Sequence, residues 1–134
     1  MSTNTQTQTV ETQPLAGVRP LPTPRALKQA ISLSDALQLQ VDQQRQQVRD
    51  LLAGKDERLL VITGPCSLHD PEAALDYGRR LVELNDQLSD RLLIVMRAYV
   101  EKPRTTTGWK GLAYDPDRNE KGDINKGLEV SRTL

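Results

Sequence analysis

The sequence has no phenylalanine, one cysteine, one histidine and one tryptophan among its 134 residues. A single cysteine excludes an internal disulfide framework and fits a reducing, cytoplasmic setting. Aromatic residues make up 3% and hydrophobic residues 37% of the chain, and its mean hydropathy is -0.56. That is lean for a globular protein and predicts that part of the chain stays out of any core. No run approaches the roughly 20 apolar residues that span a bilayer. The start, MSTNTQTQTVETQ, has neither the basic nor the apolar region of a secretory signal. An excess of one charge is missing too, since 18 Lys and Arg balance 18 Asp and Glu. A neutral chain has no electrostatic footprint for nucleic acid or an anionic membrane, and neither partner is expected.

What is present is organised in order along the chain. Residues 1–13 are mostly Thr and Gln and carry too little apolar surface to offset the entropy of ordering. Pro14, Pro20, Pro22 and Pro24 then favour an extended arm. Residues 1–25 thus read as a disordered or extended tail. Residues 26–55 read as a helical extension. Leu37, Val41, Val48, Leu51 and Leu52 fall at helical spacing, Ser32 or Ser34 caps the start, and Gly54 stands where a glycine stops a helix.

From residue 56 the period changes. Leu59-Leu60-Val61-Ile62 and Leu92-Leu93-Ile94-Val95-Met96 are continuous apolar runs, as suits parallel strands covered on both faces. Between them, Asp70-Pro71-Glu72 is a helix start: Asp as N-cap, Pro at the first helical position, Glu in the first turn. Strand, helix and strand make a βαβ unit with a right-handed crossover. A long polar stretch, Glu101 to Gly122, follows the second strand's carboxyl end, where α/β folds place their chemistry. Asp123 to Leu134 opens another helix and stops without a cap, which reads as the end of a cut chain.

Two clusters of residues carry chemistry. Cys66 follows the first strand in Gly64-Pro65-Cys66-Ser67-Leu68-His69-Asp70. A thiolate ligates soft metals, but on spacing alone a lone cysteine reads first as a small buried hydrophobe, and His69 is as well explained by capping or packing at the helix start. Arg97, Lys102, Arg104, Thr105 and Thr106 follow the second strand. An arginine ending an apolar strand is costly to bury unless it meets an anion, and its fork suits phosphate or carboxylate. The alternative is a solvated loop paired with Glu101 and nearby Asp residues. Trp109, between Gly108 and Gly111, reads as a packing anchor.

Taken together, these stretches resemble the type I 3-deoxy-D-arabino-heptulosonate 7-phosphate (DAHP) synthases. The resemblance is carried by Leu59 through Pro71, by Ile94 through Tyr99, by Glu101 through Thr106 and by Gly108 through Leu112. Asp123-Ile124-Asn125 and Gly127-Leu128 extend it, so that it runs from about Asp56 to Leu134. That family condenses phosphoenolpyruvate with erythrose 4-phosphate and releases phosphate, the first step of the shikimate pathway to the aromatic amino acids. The resemblance implies that Cys66 ligates one divalent metal ion of Mn, Fe, Co or Zn type. It implies that Arg97 and Lys102 hold phosphoenolpyruvate, with Lys102 also placed to donate or accept a proton. Arg104 and Thr105 match residues that hold erythrose 4-phosphate. The metal would act as a Lewis acid on the aldehyde.

The fold class expected is therefore α/β. Residues 56–134 would form the first part, about two strands, of a (β/α)₈ barrel, preceded by a disordered tail and an extra helix. Such barrels take about 250 residues, and the resemblance implies that the remaining metal ligands, a His, a Glu and an Asp, and further phosphate-binding Arg and Lys residues come from later strands, outside these residues. The chain by itself is expected to be inactive. The family also implies a homo-oligomer with aromatic amino acid feedback inhibition. An alternative from a different class is a non-catalytic truncated chain acting as a binding or assembly partner.

Overall fold

The structure, a computed structural model, describes residues 19–102 and 108–134. In chain order the elements are α1 (Pro24–Ala30), α2 (Asp35–Leu52), β1 (Leu59–Thr63), α3 (Pro71–Leu88), β2 (Leu92–Met96) and α4 (Ile124–Thr133). The two strands pair in parallel, in register from Leu59 opposite Leu92 to Thr63 opposite Met96. The architecture is α/β, with a two-stranded parallel sheet and four helices among the described residues. None of those helices is long and apolar enough to cross a membrane.

Local chemistry sets most of the boundaries. Ser34, not Ser32, caps α2: its Oγ accepts from Leu37 N at 3.2 Å. At the other end of α2, Gly54 takes φ +71°, the left-handed conformation in which a side chain would be strained. Asp70 caps α3 by accepting from the backbone N–H groups of Glu72 (2.9 Å) and Ala73 (3.1 Å), with Pro71 first in the helix. The extension before β1 holds two helices, not the one expected. α1 begins at Pro24, inside the segment read as extended. Thr23 accepts from Ala26 N at 3.2 Å, and a proline at the first helical position needs no hydrogen-bond partner for its missing N–H. Residues 1–18 of the expected tail lie outside the described residues.

The core sits under the carboxyl end of the sheet. Leu68, Ala74 and Leu112 form it, with Met96, Val100, Trp109 and Val130 packed around them. Leu112 is its centre, 1% exposed. α3 lies against β2, where Gly78 faces Met96 Sδ. α4 closes on the loop after β2 because Gly127 has no Cβ to strike the Ala113 carbonyl. The arm before α2 is tied to α4 through Asn125 Nδ2 to Pro20 O (3.5 Å) and Arg132 Nε to Ile31 O (3.2 Å). Not every apolar residue is covered: Leu52, Leu59 and Ile62 stay exposed.

Candidate functional site

The loops leaving β1 and β2 meet beyond the carboxyl ends of the strands. The ladder continues one bond past β2, Arg97 N donating to Thr63 O at 2.7 Å. The chain then turns so closely that Gly64 is required: a Cβ there would sit 3.0 Å from Arg97 N and collide with its carbonyl. Further on, Leu68 N donates to Tyr99 O at 2.7 Å. Two loops distant in sequence are thus joined by two backbone hydrogen bonds and a close approach at Gly64 before any charged side chain is considered.

Arg97 adds side-chain stitches. Its Nη2 donates to Gly64 O (2.9 Å) and Pro65 O (3.0 Å), and its Nε to Pro65 O (3.2 Å). Its guanidinium carbon lies 5.4 Å from the centroid of the Tyr99 ring. All these partners are neutral. Among the described residues no carboxylate pairs with this half-buried guanidinium.

Cys66 lies next to this grip and is exposed, between Pro65 and the buried Ser67 and Leu68. Exposure overturns the reading of Cys66 as a small core hydrophobe. Lys102 Nζ donates to Cys66 Sγ at 2.8 Å. Lys102 is itself fixed through its backbone, Lys102 N donating to Lys110 O at 2.9 Å. Among the described residues neither Arg97 nor Lys102 forms an ion pair with a carboxylate, so the reading as a solvated loop paired with acids fails for these two. The structure thus brings Cys66, Arg97 and Lys102 together. Arg104 and Thr105 lie outside the described residues. His69 is exposed at the entry to α3.

Among the described residues, no group of three or more His, Cys, Asp and Glu side chains gathers as a metal site. The donor set is one exposed soft sulfur. It suits a single ligand of a Zn- or Fe-type ion, and a tetrahedral site takes about four.

One organising residue is not apparent from spacing. Asp115 is buried, 4% exposed. Its carboxylate accepts from the backbone N–H groups of Asn119 (3.2 Å) and Glu120 (3.0 Å), and its carbonyl accepts from Trp109 Nε1 (2.7 Å). It thereby holds a turn in which Arg118 and Glu120 take the left-handed φ values +54° and +65°. The Asp115-Pro116 pair is the available signal, since Asp before Pro favours turn initiation. The packing role read for Trp109 agrees with its place against the core.

Comparison with known proteins gives a consistent result. The model of the DAHP synthetase I family matches residues 31–133. The phenylalanine-inhibited phospho-2-dehydro-3-deoxyheptonate aldolase of Saccharomyces cerevisiae is 50% identical over 120 residues, 90% of this chain and 32% of that protein. The Tyr-sensitive enzyme of that name from Escherichia coli (strain K12) is 50% identical over 114 residues, 85% of this chain and 32% of that protein. A solved phospho-2-dehydro-3-deoxyheptonate aldolase from Francisella tularensis superposes with a TM-score of 0.82 at 39% identity, covering 90% of this chain and 35% of that one. The chain spans about a third of the length of these relatives.

Proposed function

The chain belongs to the DAHP synthetase I family, and from that premise we propose that it serves as the amino-terminal third of a DAHP synthase. The reaction joins phosphoenolpyruvate to erythrose 4-phosphate and releases phosphate. The observation that carries this reading is the gathering of Arg97, Lys102 and Cys66 at the carboxyl ends of two parallel strands, with no carboxylate among the described residues paired to either cation.

Two anionic substrates repel each other, and a site that joins them must supply fixed positive charge. Arg97 is fixed already by the Gly64 and Pro65 carbonyls, so its remaining N–H edge meets the phosphoenolpyruvate anion with little reorganisation. Lys102 supplies a second cation and a proton donor or acceptor at Nζ. Arg104 and Thr105 would hold the phosphate of erythrose 4-phosphate. Cys66 would be one ligand of a divalent metal ion, of Mn, Fe, Co or Zn type, with the others supplied from outside these residues. Such an ion contributes Lewis-acid polarisation of the aldehyde.

In this reading β1 and β2 are the first strands of a (β/α)₈ barrel whose later strands would cover Leu59 and Ile62. The 134 residues alone would be inactive. The extension would contribute to subunit contacts in a cytoplasmic homo-oligomer that is inhibited by an aromatic amino acid. The test is DAHP formation by an enzyme of the relatives' full length that carries this chain. Cys66→Ala is expected to abolish metal-dependent turnover and to lower bound metal, since even groups that only orient a ligand cost roughly 10–100-fold. Full activity and metal content in Cys66→Ala would overturn the assignment.

A further inference from the structure

Cys66 and Lys102 are 36 residues apart in sequence, yet their sulfur and nitrogen atoms lie 2.8 Å apart. The approach is built from both sides. On one side, Arg97 holds the carbonyl of Pro65, the residue before Cys66, and the buried Ser67 and Leu68 follow it. On the other, the Lys102 backbone is bonded to Lys110, and Ala113 N donates to Val100 O at 2.9 Å. The sulfur is exposed to small solutes. It is also the only sulfhydryl of these 134 residues.

We propose that Cys66 and Lys102 form a reversible covalent cross-link, a sulfenamide, when the chain meets hydrogen peroxide. In the first step the sulfur attacks peroxide, the O–O bond breaks, one oxygen joins sulfur and water leaves. Cys66 is then a sulfenic acid, the species that condenses with nearby nitrogen nucleophiles. In the second step Lys102, having given one ammonium proton to solvent, attacks the sulfur as a neutral amine. The S–N bond forms, the S–O bond breaks, and the departing hydroxide takes the amine proton to become a second water. Peroxide is reduced to two waters, sulfur is oxidised, and the chain loses two hydrogen atoms. Two equivalents of a thiol reductant return the thiol and the amine and are themselves joined as a disulfide.

That the link would silence a metal ligand and a substrate cation together rests on the proposed function. Its formation does not, because mass reads the link whether or not DAHP is made. The experiment treats an enzyme of the relatives' full length that carries this chain with hydrogen peroxide and follows intact mass, then peptide mass after proteolysis. The expected product is lighter by two hydrogens, joins the Cys66 and Lys102 peptides, and reverts with dithiothreitol. Lys102→Arg is expected to lose the link and to yield a dimedone adduct at Cys66 instead. Lys110→Arg should retain the link, which separates the chosen amine from its neighbour. The chain unfolded in guanidinium should also lose it, since nothing then holds the pair together. The proposal is overturned if the native chain gives only the dimedone adduct, only a sulfinic acid or only disulfide-linked pairs of chains. It is equally overturned if other lysines are joined as readily as Lys102, or if the unfolded chain links as readily as the native one.

Discussion

An arginine stands at each end of the two-stranded sheet, and the two are satisfied in opposite ways. At the amino end, Arg58 meets a carboxylate: its Nη2 lies 2.7 Å from Asp56 Oδ2 and its Nε donates to both oxygens. Its Nη1 reaches Ser89 O at 3.3 Å, tying β1 to the turn before β2. At the carboxyl end, Arg97 ties the same two chain segments through the Gly64 and Pro65 carbonyls, and no acid among the described residues pairs with it. Both residues bridge β1 and β2, but only one keeps an uncompensated charge. An arginine that merely staples a sheet is best paired with an acid, as Arg58 is. One left on neutral carbonyls holds the fold and still has its charge for a ligand. The core beneath the carboxyl end, centred on Leu112, fixes that charge in place.

This contrast can be broken in measurable steps. Leu112→Ala should have the largest effect on stability, about 2–5 kcal/mol, because a fully buried leucine leaves a cavity under both site loops. Denaturant unfolding reads it, and a loss below about 1 kcal/mol would mean that the carboxyl end is not the core. Next comes acid. Arg58's side-chain hydrogen bonds, and then its backbone N–H, hold the Asp56 carboxyl below its ordinary value of 3.8. A depressed carboxylate contributes stability that is fully present above 3.8 and is lost as pH falls through the lower folded value. The urea midpoint of the wild-type chain should therefore converge on that of Asp56→Asn below pH 3.8. A gap between the two that stays constant down through acid would contradict the pairing. The smallest effect is expected at Lys102→Met, within about 0.5 kcal/mol in the same unfolding measurement, because a site cation does not hold the fold. A large loss there would make Lys102 structural.

Much of this is legible in the sequence where the cause is local. β2 is the run Leu92–Met96 itself, and β1 extends the run Leu59–Ile62 by one residue to Thr63. Asp70-Pro71 marks the start of α3 because cap and proline act within one turn. The cluster of Cys66, Arg97 and Lys102 is legible as two strand-end loops, since parallel pairing puts both carboxyl ends on one side. What escapes is long-range or specific to geometry. α1 hides in a proline-rich arm, because the same residue opens a helix or extends a chain depending on its N-cap. Asp115 looks like any loop acid until Trp109 and the turn through Glu120 close on it. The pairing of Arg97 with carbonyls, where an acid was the alternative, depends on a close approach at Gly64 that no spacing encodes.

The comparison of the two arginines is tested most directly by phosphoenolpyruvate binding, measured by calorimetry on the full-length enzyme. Arg97→Lys should weaken binding by about 1.5–3 kcal/mol, a tenfold or greater rise in Kd, because an ammonium cannot reproduce the fork. Arg58→Lys should leave the Kd unchanged. Equal effects from the two substitutions, or an unchanged Kd in Arg97→Lys, would contradict the placing of the anion site at the carboxyl end of the sheet.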